Sequence, residues 1–409
     1  MHEKHLSIYC KQTYKRGAKK RFSRPIYILS IVAVSISIAT MLISLAVVKG
    51  YQSVIGEKVS GFGSHIQVLN FDLNNSYEAS PIRIDQNTID EITQIPNINH
   101  VQKFSLKAGI LKFKDQIEGV VMKGVDGEYD WSFMDKYIVN GRALDIKIDK
   151  NDTEILISES IAKKLNIGLD DKIQVYFIQD PPRVRVFQTV GIYNTGLGNF
   201  DDKYLFVNIN HINRLNNWDS DQFSGLEINI EKFEKLDASA YEVNQIIPYD
   251  LHAQTIKELN PEIFDWINLF DVNVVVLITI ISIISIITLI TTLLIFILEQ
   301  TSTIGLLKSL GSNNNLIKKV FLTINLKIFL WGMLWGNIAT ISIATLQNRF
   351  KLLKLDAENY YIDHVPIELS AIHFLSINTI SIILISLIML VPIHIVTGRI
   401  SAVKAIRYK

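Results

Sequence analysis

The chain has 409 residues, 48% of them hydrophobic, and a mean hydropathy of +0.23. This is too apolar for a purely soluble protein, so part of the chain is expected to lie in a membrane. The 41 Lys and Arg residues nearly balance the 40 Asp and Glu residues, which excludes a global basic field for binding nucleic acid. The one cysteine, Cys10, excludes an intramolecular disulfide framework and a cysteine-rich metal site.

Four runs of the sequence lack Asp, Glu, Lys and Arg and are long enough to cross a bilayer, which takes about 20 helical residues. They predict transmembrane helices at residues 25–48, 272–298, 320–348 and 369–398, the third with its charge-free run starting at residue 328. A cleaved signal peptide is the competing interpretation of the first run. The length of the run, and the absence of a small-x-small cleavage motif before Lys49, favour a retained helix.

The charges that flank these runs predict their orientation, because Lys and Arg are retained on the cytoplasmic side. Residues 1–24 hold eight basic residues and one acidic residue, and residues 399–409 hold four basic residues and no acid. Residues 49–271 hold 22 basic and 34 acidic residues, a net charge of −12. We therefore expect an inner-membrane protein with both termini in the cytoplasm, a periplasmic domain at 49–271 and a periplasmic loop at 349–368.

The region between the first two spans has the pattern of an α+β domain. Asn87 and Asp250 are candidate N-caps, and residues 179–185 predict a short connection between two strands. Predicted strands cover 65–71, 117–122, 172–178, 183–192, 204–208 and 226–230, and predicted helices cover 87–94, 159–165, 235–246 and 251–259.

No catalytic motif is found in the sequence. It lacks the G-x-x-x-x-G-K-[ST] run that cradles phosphate and the G-x-S-x-G nucleophile elbow. The histidines outside the predicted spans lack metal-ligand spacing, and the segment from His2 to His5 is one residue short of H-E-x-x-H. We therefore expect a chain that is not an enzyme and binds no metal or cofactor.

The loop at 299–319 and the third span carry the remaining candidates. Within residues 299–311, Ile304, Leu307 and Leu310 have helical spacing, which fits either a short amphipathic helix along the membrane or an interfacial loop. Lys327 is a cation inside the third span, so it is either functional or a side chain that snorkels to the interface. Gly332 and Gly336 form a G-x-x-x-G pair that permits close helix packing.

Residues 299–311, EQTSTIGLLKSLG, resemble the E-x-x-x-x-I-G-x-L-K-x-L-G signature of the FtsX-like permease family of ABC transporters. Residues 61–66 and 191–197 resemble segments of the periplasmic domain in its lipoprotein-releasing branch, the LolC/LolE type, while residues 360–368 resemble the external loop before the last span and residues 398–407 resemble the C-terminal ending of the family. The resemblance implies that the segment is a coupling helix that docks on a separate ATPase. The ATPase-coupling residues would be Glu299, Thr303, Ile304, Gly305, Leu307, Lys308, Leu310 and Gly311.

The resemblance implies a permease subunit that couples ATP hydrolysis by another subunit to the release of lipoproteins from the inner membrane to a periplasmic carrier. ATP and Mg²⁺ would bind the partner ATPase, and a second permease subunit, identical or paralogous, would complete the transporter. An efflux permease and a mechanotransmitter that activates a periplasmic cell-wall hydrolase are the alternatives. A ligand-sensing receptor is a third class.

Overall fold

The computed structural model describes residues 23–71, 80–146, 153–299, 301, 314–356 and 360–399. The chain forms two compact units. The first unit contains the chain up to Gln52, Ile267–Leu353 and the chain from Val365. The second unit contains Ser53–Trp266 and Lys354–His364. Each unit is described by itself.

Ten helices and ten strands lie within the described residues. The helices are α1 (Ser23–Gly63), α2 (Gln86–Thr93), α3 (Glu159–Leu165), α4 (Gly198–Asp201), α5 (Ile209–Asn216), α6 (Leu236–Ile246), α7 (Ile256–Leu259), α8 (Pro261–Glu299), α9 (Asn314–Phe350) and α10 (Ala371–Arg399). The strands are β1 (Ile66–Asn70), β2 (Ile98–Phe113), β3 (Gln116–Val125), β4 (Ile138–Gly141), β5 (Glu154–Ser158), β6 (Lys172–Phe177), β7 (Arg183–Tyr193), β8 (Tyr204–Asn208), β9 (Gly225–Ile230) and β10 (Leu251–Thr255).

Four of the helices, α1, α8, α9 and α10, are long and apolar enough to cross a membrane. They confirm the predicted fold class, a four-span membrane protein with a large α+β domain between its first two spans. α1, α8 and α9 extend past the charge-free runs: α1 continues to Gly63, and α8 begins at Pro261. The charge-free run marks the apolar centre of a helix and not its ends, because a helix can continue into water once its polar residues are solvated.

The four long helices share one apolar cluster in the first unit. Because lipid tails are as apolar as these side chains, close packing and polar contacts decide which faces meet. The buried members come from all four helices and are Val34, Ile38, Met41, Leu42, Leu289, Leu293, Ile297, Phe321, Ile328, Phe329, Ile377, Ile385 and Met389.

The second unit contains one mixed ten-stranded sheet. Its order is β10-β1-β9-β2-β3-β8-β5-β7-β4, and β6 pairs with both β2 and β7. The strands β2, β3, β8, β5, β7 and β6 therefore form a closed ring. Its core buries alternate strand residues such as Leu111, Val175 and Phe187 with Ile161 of α3 and Ile212 of α5. The predicted connection at 179–185 joins β6 and β7, which pair antiparallel.

Several details of the predicted secondary structure are wrong, and β2, β4, β5 and α5 lie where the sequence predicts no element. Residues 251–255 form strand β10, paired antiparallel with β1, and only Ile256–Leu259 are helical. Buried and half-buried residues alternate along 251–255. This two-residue period fits a strand at the edge of a sheet and does not fit a helix. The caps also differ: Asp85 caps α2, and Thr255 caps α7 through a reciprocal pair of hydrogen bonds with Glu258, so neither Asn87 nor Asp250 is an N-cap.

A buried ion pair lies at the centre of the second unit. Lys123 Nζ is 2.6 Å from Glu227 Oε1, and the two side chains are only 3% and 1% exposed. Lys123 also donates to the carbonyl oxygen of Phe62 in the last turn of α1 at 2.9 Å, and Gln102 donates to Glu227 Oε2 at 2.8 Å. Burial, followed by the charge of Glu227, raises the pKa of Tyr129 beside the pair. The pair is therefore fully hydrogen-bonded within an apolar shell.

We predict that Lys123→Met destabilises the protein by about 3–5 kcal/mol, because it leaves the Glu227 carboxylate buried without a cation. The double variant K123M/E227L should recover a large part of that loss, since two apolar side chains leave no isolated charge. Denaturant unfolding of the full chain in detergent measures both. The control is Lys112→Met, because the Lys112 side chain on β2 is exposed. This variant should change the free energy of unfolding by less than about 0.5 kcal/mol. A loss below about 1 kcal/mol for K123M would contradict the prediction.

Candidate functional site

The predicted coupling residues lie between the second and third spans. Glu299 is the last residue of α8, and α9 begins at Asn314. The other coupling candidates, Thr303, Ile304, Gly305, Leu307, Lys308, Leu310 and Gly311, lie outside the described residues. Their role as a coupling helix stays a prediction.

The G-x-x-x-G pair of α9 lies against α1. A Cβ atom on Gly332 would lie 2.6 Å from the Cβ of Val34, and one on Gly336 would lie 2.7 Å from the carbonyl oxygen of Ser35. Real Cβ atoms essentially never approach this closely. Glycine at both positions therefore sets the distance between the first and third spans, as small residues do where membrane helices approach each other.

Polar side chains join further pairs of spans. The hydroxyl groups of Ser30 on α1 and Thr292 on α8 are 2.6 Å apart and buried. Asn337 on α9 donates to Asn378 on α10 at 3.2 Å. Hydrogen bonds between membrane helices contribute about 0.6 kcal/mol on average, so these contacts fix which faces meet more than they stabilise the bundle.

A polar cluster, called here the Lys49 clasp, joins α1 to α8 beyond the charge-free part of the first span. Lys49 Nζ is 3.3 Å from Asp271 Oδ1 and donates to Gln52 Oε1 at 2.7 Å. Gln52 in turn donates to Asp271 Oδ2 at 2.9 Å. The members are partly exposed, so the clasp adds little stability. Its significance is geometric, because it ties the first span to the second by contacts that rearrange at low cost.

A second polar cluster, the Lys58 junction, connects three segments of the second unit. Lys58 on α1 donates to the carbonyl oxygens of Thr195 at 2.7 Å and Tyr361 at 2.9 Å. Asp201 Oδ2 accepts from the backbone N–H groups of Thr195 and Gly196, each at 3.0 Å. The junction therefore links the end of α1, the turn after β7 and the loop between α9 and α10.

Asp201 is the buried carboxylic acid of the Lys58 junction. Its side chain also accepts from Thr195 Oγ1 at 2.7 Å, and only 5% of Asp201 is exposed. Burial raises the pKa of Asp201 to about 6, against the lowering effects of its hydrogen bonds and of Lys58. A carboxyl group whose pKa lies this close to 7 is only partly protonated at periplasmic pH. Small changes in its environment therefore change its charge.

Sequence reasoning did not select the residues of these two clusters. Lys58 and Asp201 are 143 positions apart, the difference of their numbers, and only the fold brings their segments together. The sequence does indicate one segment of the Lys58 junction: residues 191–197, which include Thr195, resemble a segment of the family. Within the described residues, no group of three His, Cys, Asp or Glu side chains could hold a metal ion.

The four spans, the α+β domain between the first two, and polar contacts between spans define a multi-pass membrane subunit of the transporter-permease class. The chain belongs to the FtsX/MacB-like family of ABC transporter permeases. Residues 27–246 match the MacB-like periplasmic core domain, and residues 275–399 match the FtsX-like permease C-terminal domain. It is therefore a non-catalytic transmembrane subunit, and permeases of this type pair with an ABC ATPase.

Relatives of similar length align along most of the chain. It is 22% identical over 87% of both lengths to the lipoprotein-releasing system transmembrane protein LolC of Buchnera aphidicola subsp. Schizaphis graminum. It is 21% identical over 89% of both lengths to the corresponding LolE of Haemophilus influenzae. Among solved structures, the periplasmic region of MacB from Actinobacillus actinomycetemcomitans aligns with a TM-score of 0.35 at 13% identity, over 50% of this chain and 95% of that one.

We predict that Gly332→Ala destabilises the membrane helices by about 1–3 kcal/mol, because its methyl group would overlap Val34. Thermal unfolding of the full chain in detergent measures the loss. Gly56→Ala on α1 is the matched control: its Cβ meets nothing within 4 Å, so it should unfold no earlier than wild type. Equal unfolding temperatures for G332A and G56A would show that α1 and α9 do not pack through Gly332.

We predict that Asp201 makes stability depend on pH between about 4 and 6. Its folded pKa lies above the ordinary value of 3.8, so the folded state binds the proton more tightly and stability rises as pH falls through this range. The unfolding free energy of wild type minus that of Asp201→Asn should rise by about 2.4 kcal/mol from pH 7 to pH 4. Denaturant unfolding of both proteins at each pH measures it.

Asp202→Asn is the matched control for this measurement. A hydrogen bond from Ser160 lowers the pKa of Asp202 below 3.8. The stability that Asp202 contributes is therefore present above that value and is lost only at lower pH, so its difference from wild type should stay constant between pH 7 and pH 5. A D201N difference that is equally constant would refute the assignment of the titration to Asp201.

Proposed function

We propose that this chain is the permease subunit of an ABC transporter that releases lipoproteins from the inner membrane to a periplasmic carrier. The observation that carries the proposal is the similarity to lipoprotein-releasing permeases across 87% or more of both chains, spans and external domain together. A similarity confined to the permease helices would support only a general transporter. The Lys49 clasp and the Lys58 junction support a mechanical role, because each connects α1 to a different segment.

The release of a lipoprotein from a membrane requires an external source of energy. Each CH₂ group that leaves the bilayer costs about 0.8 kcal/mol, so a protein anchored by two or three acyl chains does not leave unaided. We propose that the acyl chains bind between the first and second spans. The outer half of α8 supports this choice, because it exposes large apolar side chains that include Val272, Val275, Ile280 and Ile283.

ATP hydrolysis would move the spans from the cytoplasmic side. In the proposed mechanism, a separate ATPase, which binds the ATP and Mg²⁺, holds residues 299–311 of this chain. Closure of the ATPase brings this permease and a second permease subunit together, which removes the apolar surface offered to the acyl chains. Rearrangement of the Lys49 clasp permits the first and second spans to change distance, and the Lys58 junction holds the end of α1 to the turn after β7 and the loop between α9 and α10.

The proposed orientation places both termini in the cytoplasm and residues 49–271 in the periplasm. The charge distribution supports it, because the short segments at 1–24, 299–319 and 399–409 carry 15 basic residues, the sum of eight, three and four. The ATPase and the coupling segment then lie on the same side of the membrane. The carrier and the external domain lie on the other.

We predict that a cytoplasmic ATPase co-purifies with the tagged full chain in mild detergent and is lost in the variant Gly305→Trp. The bulky ring would enlarge the surface of the coupling segment and prevent docking. The readouts are the co-purifying subunit and its ATP hydrolysis rate, which added lipoprotein should stimulate in wild type. Gly127→Trp is the matched control, since Gly127 is exposed in the external domain with nothing within 4 Å of its Cβ, and this variant should retain the ATPase.

The outcomes separate the competing functions. Stimulation by lipoprotein supports release, whereas stimulation by a soluble periplasmic compound alone would favour an efflux permease. Activation of a cell-wall hydrolase by the complex, without lipoprotein transfer, would favour a mechanotransmitter. If wild type brings down no ATPase in several mild detergents, the coupling proposal is wrong and a ligand-sensing receptor becomes the leading alternative.

A further inference from the structure

One face of α9 places two cations beside two indole rings. Lys319, Thr323, Lys327, Trp331 and Trp335 follow one another at intervals of four residues, and all five side chains are exposed. Each step of four residues turns about 40° around the helix axis, so the five form a row that winds across slightly less than half of the helix circumference, called here the Lys327 stripe. Half of each indole is accessible, 50% for Trp331 and 54% for Trp335.

The two lysines of the stripe are close enough for their flexible four-carbon stems to reach one anion between them. They are eight residues apart, which is about 12 Å along the helix axis. The Cα–Cβ bonds of a helix tilt toward its N-terminus, so the long stem of Lys327 leans back toward Lys319. Within the described part of the chain, neither ammonium group has a carboxylate within ion-pair distance. The intervening Thr323 donates its hydroxyl to the Lys319 carbonyl at 2.7 Å and is small enough to leave room between the two charges.

The same face becomes apolar toward the other end of α9. Leu330, Leu334, Ile338 and Ile341 are exposed beside the two tryptophans, which is the composition of a surface that faces hydrocarbon. A cation at the edge of such a surface is costly unless an anion or water accompanies it. Indole rings prefer the headgroup level, where their N–H groups find hydrogen-bond acceptors. This surface of α9 therefore offers positive charge, indole N–H donors and apolar side chains, the three kinds of contact that the phosphate, ester groups and acyl chains of a phospholipid make.

We propose that the Lys327 stripe binds one anionic phospholipid, with its phosphate held by Lys319 and Lys327 and its acyl chains along Leu330, Leu334 and Ile338. Charge complementarity selects this occupant. A second copy of the chain that docked symmetrically through the same face would bring like charges together, since each copy presents the same two lysines. The site lies in the leaflet at the N-terminal end of α9. Lipid binding at this site does not depend on the proposed release of lipoproteins.

The test uses quenching of tryptophan fluorescence by brominated lipids. The full chain is reconstituted in phosphatidylcholine vesicles that contain increasing fractions of brominated phosphatidylglycerol or, separately, brominated phosphatidylcholine. Subtracting the signal of a W331F/W335F variant isolates the two indoles from the three tryptophans elsewhere in the chain, since it has five in total. Because each basic side chain near an anionic headgroup strengthens binding about fivefold, the two lysines together should give wild type roughly a 25-fold preference for the brominated anionic lipid.

Two variants assign that preference to the stripe. Lys327→Gln should reduce it about fivefold, and K319Q/K327Q should abolish it. Lys318→Gln removes an equal charge at the same depth but on another side of the helix, and should keep the full preference. Far-UV circular dichroism verifies that each variant remains helical, and the wild-type comparison of the two lipids requires no variant.

Two results would overturn the proposal. One is equal quenching of wild type by the two brominated lipids. Weak quenching by both lipids counts as this result, because a protein partner that covered this face would produce it. The other is a K327Q variant that retains the wild-type preference. Neither result bears on ATPase co-purification, so the lipid site and the proposed function fail separately.

Discussion

A peptide group inside a bilayer finds no water, and the architecture of the first unit depends on this constraint. Each span therefore satisfies its backbone within its own helix, and the hydroxyl side chains follow the same rule. Thr40, Thr279, Thr288, Thr291 and Thr345 all donate to the carbonyl oxygen four residues earlier. Few polar groups are left to join one span to another. Which helix faces meet therefore depends on the contacts of four side chains, Ser30, Thr292, Asn337 and Asn378.

The external domain meets the opposite problem, because its backbone is surrounded by water and it has no disulfide to restrain it. The buried ion pair of Lys123 and Glu227 is surrounded by the rings of Phe62, Phe104, Tyr129 and Phe206, with the Lys123 ammonium 5.5–5.9 Å from each ring centroid. A charge pair in such a shell tolerates little displacement, since separation would leave two unsolvated charges. The last turn of α1, which Lys123 binds through the Phe62 carbonyl, is thereby fixed to the sheet of its own unit.

The sequence predicted the number and order of the spans and the α+β character of the domain, because both follow from local composition. It did not predict the strand at 251–255, whose conformation depends on pairing with β1 some 185 residues earlier, the difference between Leu251 and Ile66. It also missed the whole of β2, in which Lys103, Lys107 and Lys112 interrupt the apolar pattern while their backbone pairs with β3 or β9. The Lys49 clasp and the Lys58 junction were unpredictable for the same reason. Lys49 and Asp271 are 222 positions apart and Lys58 and Thr195 are 137 apart, and nothing in the local sequence of Lys58 indicates that Thr195 will lie beside it.

The closed ring of six strands has a consequence for how other proteins can attach to the external domain. A ring has no terminal strand, so its backbone N–H and C=O groups are largely used internally. Among the strands that the structure describes, only β4 and β10 have a single neighbour. A ligand that binds by adding its own strand to the sheet is thus restricted to two short edges, of four and five residues. Every other recognition of the described sheet must use side chains or the hairpin tips, which can vary in sequence without disturbing the fold.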